Sequence, residues 1–263
     1  MASQQNPKSA DAAADPQELT LTSIPLRHTT SAISAAQLGA AETRVQAAPA
    51  VIKPLLRGWL HAGTTPLAIA AGIVLIVLAQ GGIAKAGAAV YLACSVLLFG
   101  NSAVYHIINW SPRVKQALRR VDHANIFLLI AGTYTPVALG ALPLPRAALL
   151  LTIVWSGALL GIIFRVFWLS APRWLYVSLY VGLGWAALFF FSEMLQANVP
   201  AMILVAVGGL LYTIGAMCYG FKWPLRNNKY FGFHELFHAC TVAAFFCHWT
   251  AALLALLNPL YLR

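Results

Sequence analysis

Toward its C-terminal end the 263-residue chain reads His234-Glu235-Leu236-Phe237-His238, a literal H-E-x-x-H. Imidazoles four residues apart project from one helical face, close enough to bind one metal ion, and in zinc proteases the glutamate between them acts as a base. The pattern by itself equally fits two wet histidines at a helix start. A third ligand decides between these readings, because zinc takes three or four N, O or S ligands. His106 is the candidate, and Ser102 lies four residues before it on the same helical face. Asp122 adds an acid, with a salt bridge to nearby Arg119 or Arg120 as its plainer role. His123 points about 100° away from Asp122 and is read as a packing or interfacial residue. His61 is expected to stand behind the ligands. His248, about 15 Å along the helix from His238, is too far for the same ion and is expected to bond a neighbouring span or line a cavity.

The elements that must hold these residues are membrane helices. The chain is 60% apolar and 9% charged, against about 25% charged in an average soluble domain. A soluble fold and a disordered chain are both excluded. Residues 1–55 are rich in Ala, Ser, Thr, Gln and Pro and predict a flexible cytoplasmic tail with no signal-peptide core. Residues 56–263 hold seven apolar runs: Trp59 to Ala79, Ala86 to Trp110, Val121 to Ala141, Ala147 to Trp168, Leu175 to Met194, Ala201 to Phe221 and Phe233 to Leu257. Each is near the roughly 20 residues that cross a ~30 Å hydrocarbon core. The prolines in the breaks are expected to end helices. The fold class is therefore an all-α membrane protein, a seven-transmembrane helix bundle.

The net charge of +10 is a matter of topology and not of nucleic-acid binding, since the cations sit in short segments between apolar runs. Eleven Lys/Arg flank one set of helix ends, against Lys85, Arg146 and Arg263 at the other. That split predicts a cytoplasmic N-terminus and an outside C-terminus. None of the candidate site residues entered it, yet it brings Ser102, His106, Asp122, His234 and His238 to one level near the cytoplasmic face. Ionisable groups within a bilayer are costly, and only Asp122, Glu193 and Glu235 are acidic after residue 50. The four cysteines all fall in apolar runs, form no C-x-x-C and imply no disulfide framework.

Gly100-Asn-Ser102-Ala-Val-Tyr-His106, the stretch from Arg119-Arg-Val-Asp122-His through Gly132-Thr-Tyr-Thr-Pro136, and Gly232-Phe-His234-Glu-Leu-Phe-His238 resemble the haemolysin III branch of the progestin and adipoQ receptor family. Arg57-Gly-Trp-Leu-His61 is similar to the start of its first span. The resemblance covers the chain after residue 55. It implies seven helices around zinc near the cytoplasmic face, with His106, His234 and His238 as ligands, Asp122 beside the metal's water, and Ser102 adjacent. The adiponectin-receptor branch is associated with ceramidase-like hydrolysis. Glu235 fits the haemolysin III pattern, whereas receptor members have an uncharged residue there, so the base is Asp122 or Glu235.

The expected activity is zinc-dependent hydrolysis of a membrane lipid, at a sphingolipid-like amide or an ester bond. The alternatives are a non-enzymatic sensor of lipid composition with structural zinc and, least favoured, a cytolytic pore. An intramembrane protease would need a downstream acidic ligand, and none of the residues after His238 is acidic. The expected location is a multi-pass position in the plasma membrane, the inner membrane of a bacterium.

Overall fold

The computed structural model describes residues 56–224, 230–257 and Pro259. The expected tail, and Arg226, Lys229 and Arg263 of the charge split, lie outside these residues.

The described residues form helices and no strand. They are α1 (Trp59–Leu78), α2 (Gly82–Ile107), α3 (Pro112–Ala141), α4 (Leu144–Phe167), α5 (Arg173–Gly184), a 3-10 turn (Ala186–Phe190), α6 (Phe191–Ala197), α7 (Val199–Phe221) and α8 (Phe233–Leu257). Seven spans are long and apolar enough to cross a membrane, the fifth being Arg173–Ala197 as a whole. Outward-facing Leu67, Val77, Leu160, Phe167 and Phe189 are exposed, as a lipid-facing surface requires. The chain is a multi-pass integral membrane protein.

The apolar runs of the sequence correspond to these spans, with two differences. Helix α3 starts at Pro112 and not near Val121, so Arg113 to Arg120 form a helical extension beyond the apolar run. Pro112, Pro145 and Pro200 occupy the first or second helical position, where proline's fixed φ suits a helix start and its missing N–H costs nothing. These prolines open helices, whereas the sequence suggested that they close them.

The second difference is the break in the fifth span, which hydropathy does not register. Two of its backbone groups are satisfied by one side chain: the Tyr134 hydroxyl donates to the Gly184 carbonyl at 2.6 Å and accepts from the Ala187 N–H at 2.9 Å. Irregular backbone at membrane depth is tolerated where it borders a cavity, and Gly184, Trp185, Ala187 and Leu188 do so here.

Helix α3 is the central helix, packed against α2, α4 and α8 and far more buried than the other spans. Lipid surrounds the bundle, so helices gain by close approach more than by leaving water. Gly140 shows this: a Cβ there would lie 2.7 Å from the Ala255 carbonyl oxygen on α8. Buried hydroxyls are mostly returned to their own helix, as when Thr64, Ser95, Thr133 and Thr241 donate to the carbonyl four residues earlier.

Candidate metal centre

Four helices supply the site. His61 lies in the first turn of α1, Ser102 and His106 near the end of α2, Asp122 on α3, and His234 and His238 in the first two turns of α8. The i, i+4 spacing puts both α8 imidazoles on the face turned to α2. His106, His234 and His238 each offer a nitrogen, and the three atoms lie within 4.8 Å of one another. The Nε2 atoms of His106 and His234 are 3.2 Å apart. Tetrahedral zinc with Zn–N bonds of about 2.0–2.1 Å holds its ligand nitrogens about 3.3 Å apart, so that pair already has a ligand spacing. Nδ1 of His238 and both nitrogens of His61 are buried without a hydrogen-bond partner. Buried polar atoms are rarely left so, and a cation with its bound water is the kind of group such a donor set accommodates.

The other candidate residues fall into two groups. Asp122 Oδ2 lies 4.0 Å from His106 Nε2, and Ser102 lines the same cavity as Asp122. His61 stacks on His238 with ring centroids 3.8 Å apart and planes 13° from parallel, closer than the sequence suggested. Glu235 is directed elsewhere. It is fully buried, one oxygen accepts from Arg57 Nε at 2.7 Å and the other from the Gly232 N–H at 2.9 Å. Three residues past Gly232, it makes the reciprocal half of a capping box, and through Arg57 it ties the start of α1 to the start of α8.

Gly58, the residue before α1, has φ +89°, and a Cβ on it would lie 2.8 Å from His106 Cβ. Spacing gave no signal for this residue, although it lies in the Arg57-Gly-Trp-Leu-His61 stretch. Gly58→Ala is expected to lose about 1–2 kcal/mol through the left-handed backbone and to push His106 away. Its thermal midpoint should fall, and after loading with zinc a competing chelator should strip the ion at a lower concentration than from the parent protein loaded in the same way.

His248 donates to the Ala244 carbonyl on its own helix at 2.8 Å and lines the cavity, so its bond is within α8 and not to a neighbouring span. Arg165, read from sequence as a flanking cation, lies inside α4 and is fully buried. Glu193 pairs with Arg146 at the far end of the bundle, with both side chains largely exposed. The cysteines Cys94, Cys218, Cys240 and Cys247 are all free thiols.

An apolar cavity of about 140 Å³, partly open to the surroundings, begins at His234, His238 and Asp122 and continues past Ile130, Thr133 and Val137 toward Met194. The bundle is thus a seven-span integral membrane protein whose intramembrane histidines can hold a metal ion beside an apolar cavity. The sequence pattern of the haemolysin-III related family matches residues 50–249, and the chain belongs to that family. It is 34% identical to hemolysin-3 of Bacillus cereus over 185 residues, covering 69% of this chain and 83% of that protein. It is 33% identical to a hemolysin-3 homolog of Bacillus subtilis over 153 residues, covering 58% of this chain and 70% of the relative. A bacterial inner-membrane location is consistent with these bacterial relatives.

Proposed function

We propose that the protein is a zinc-dependent hydrolase of lipid amide or ester bonds, ceramide-like in the first instance, with its histidine cluster at the cytoplasmic end of the bundle. The observation that carries this reading is the joining of three clustered histidines to an acid and to the mouth of an apolar cavity. His106, His234 and His238 would hold the ion and leave a fourth position open, as catalytic zinc sites do. Bound zinc lowers the pKa of water to about 7 and polarises a carbonyl. Asp122 would take the proton from the attacking water and return it to the leaving group, and Ser102 would hold the carboxylate in place. His61, stacked on His238, fixes the plane of that ligand. The apolar cavity would take the acyl chain and keep bulk water from the scissile bond.

The test is mass spectrometry of a broad lipid panel after incubation with zinc-loaded protein and with an Asp122→Ala control. Zinc-dependent release of a fatty acid by the first and not the second is expected. If neither cleaves any acyl bond, the sensor reading takes over. The 4.0 Å separation of Asp122 from His106 favours that alternative to one degree: a small shift would let the carboxylate close the zinc shell as a fourth protein ligand. The relatives' name, hemolysin, suggests cytolysis, but an apolar lining suits an acyl chain better than an aqueous lumen.

A further inference from the structure

His123 and Arg165 form a unit that the hydrolytic reading leaves unused. Arg165 is fully buried, and among the described residues no carboxylate pairs with it. Its guanidinium donates to the carbonyls of Trp168 and Leu169, contacts His123 Nδ1, and lies 4.3 Å over the Tyr176 ring. A guanidinium has donors only, so His123 Nδ1 accepts and its ring proton belongs on Nε2. The Tyr180 hydroxyl donates to the His123 carbonyl at 3.0 Å, and the ring stacks on Tyr176. His123 is therefore held as a neutral Nε2–H donor. With Nδ1 turned to Arg165, Nε2–H is the ring donor left for a ligand, and His123 borders open space.

That space is a second, polar cavity of about 210 Å³, a vestibule lined by Arg57, Lys115, Arg119, Asp122, His123 and Tyr105, together with His106 and His234 of the histidine cluster. Glu235 balances Arg57, but Lys115 and Arg119 are exposed and outnumber Asp122, which lies about 10 Å farther along α3 than Lys115. Residues 115, 119 and 122 fall on one stripe of that helix, and the stripe continues as Ile126, Leu129, Thr133 and Val137 into the apolar cavity. The two cavities share Asp122, His123, Tyr219 and His234. One face of α3 thus runs from cations, past the histidine cluster, to an apolar trough, which is the outline of an amphiphile with an anionic head.

We propose that the vestibule is an anion subsite. It takes a phosphate or carboxylate group carried near the scissile bond of an acyl lipid, held by Lys115, Arg119 and the Nε2–H of His123, with Arg165 as the positioning residue that fixes the His123 tautomer. The proposal rests on the hydrolase reading and narrows its substrate: a ceramide head is uncharged, whereas this vestibule selects an acidic acyl lipid.

The test compares binding of dodecyl phosphate, dodecanol and inorganic phosphate to the zinc-loaded full chain in neutral detergent, with Lys115→Ala/Arg119→Ala, His123→Phe and His234→Ala/His238→Ala variants. Dodecyl phosphate should bind about tenfold more tightly than dodecanol, and the double cation variant should lose that preference while binding dodecanol unchanged. The preference should also weaken as salt rises. A merely structural lesion would lower both affinities together. His123→Phe keeps the ring on Tyr176 and should lose part of the preference; if it fails to fold, the two exposed cations still decide the matter. Inorganic phosphate should compete weakly, since it lacks the tail; competition as strong as that of dodecyl phosphate would make the subsite one for free anions and overturn the lipid assignment. If the preference survives in Lys115→Ala/Arg119→Ala but vanishes in His234→Ala/His238→Ala, the anion sits on the metal and the proposal fails. These are binding readouts, so an absence of turnover would sink the hydrolase reading without touching them.

Discussion

Replacing His234 and His238 together with alanine is expected to take the purified protein from about one zinc ion per chain to essentially none. Elemental analysis after gel filtration checks it directly, and full retention of zinc would refute the centre. The size of the effect follows from the geometry. Removing two of three clustered nitrogens leaves His106 as the sole imidazole ligand, with a carboxylate 4.0 Å away. The same change should have a second consequence. The cluster joins the end of α2 to the start of α8, so metal removal by a chelator should lower the thermal midpoint of the parent protein. The double variant, which holds no ion to lose, should not respond to the chelator. His61→Ala offers a graded comparison. Its ring stacks on His238 and lies at an edge-to-face angle to Phe99, so its loss frees a ligand ring without removing a ligand. Metal affinity should fall by about 10–100-fold, the range seen when groups that orient ligands are removed.

The seven spans and the shared level of the site residues were legible because a bilayer makes both conspicuous. Apolar runs must be long, and ionisable groups within them must be compensated. His106, Asp122, His234 and His238 are placed by helix periodicity and up-down connectivity alone, independently of any loop conformation. What escaped the sequence depends on contacts between distant segments. Glu235 stands between two histidines in the chain, which suggested a shared role. Its direction is set by Arg57, 178 residues away, and by the backbone at the α8 start. On a helix the residue after His234 points about 100° from it, a signal already present in the H-E-x-x-H spacing. The same angular argument reads His123 as a packing residue, yet it lines both cavities together with Asp122. Its partner on α4 could not be inferred, because Arg165 in sequence reads as one more flanking cation. The break in the fifth span left a faint trace in Gly182-Leu-Gly184, but the side chains that hold it, Tyr134 from α3 and Thr213 from α7, are distant in sequence.

The two acids of the site should separate cleanly under conservative substitution. Asp122→Asn is expected to keep its zinc and lose about 10²–10⁴-fold in lipid hydrolysis, the usual contribution of a positioned general base. The amide keeps the shape of the carboxylate, but it cannot accept a proton from water. Glu235→Gln should do the reverse. Its carbonyl oxygen can still accept from the Gly232 N–H, so the first turn of α8 and both imidazoles stay in place. The ion pair with Arg57 is lost, however, and an uncompensated charge is left partly buried at the junction of α1 and α8. A stability loss of about 1–3 kcal/mol follows, with turnover per folded, zinc-loaded chain within a few-fold of the parent. Steady-state rates normalised to bound zinc, together with thermal melts, distinguish these outcomes. If Glu235→Gln abolishes turnover at full zinc occupancy while Asp122→Asn does not, the roles are exchanged, and Glu235 must leave Arg57 during the reaction. Arg57→Lys would then be informative: a shorter-reaching cation that cannot reproduce the guanidinium contact should speed that release, whereas under the assignment to Asp122 it should lower stability and leave the rate unchanged.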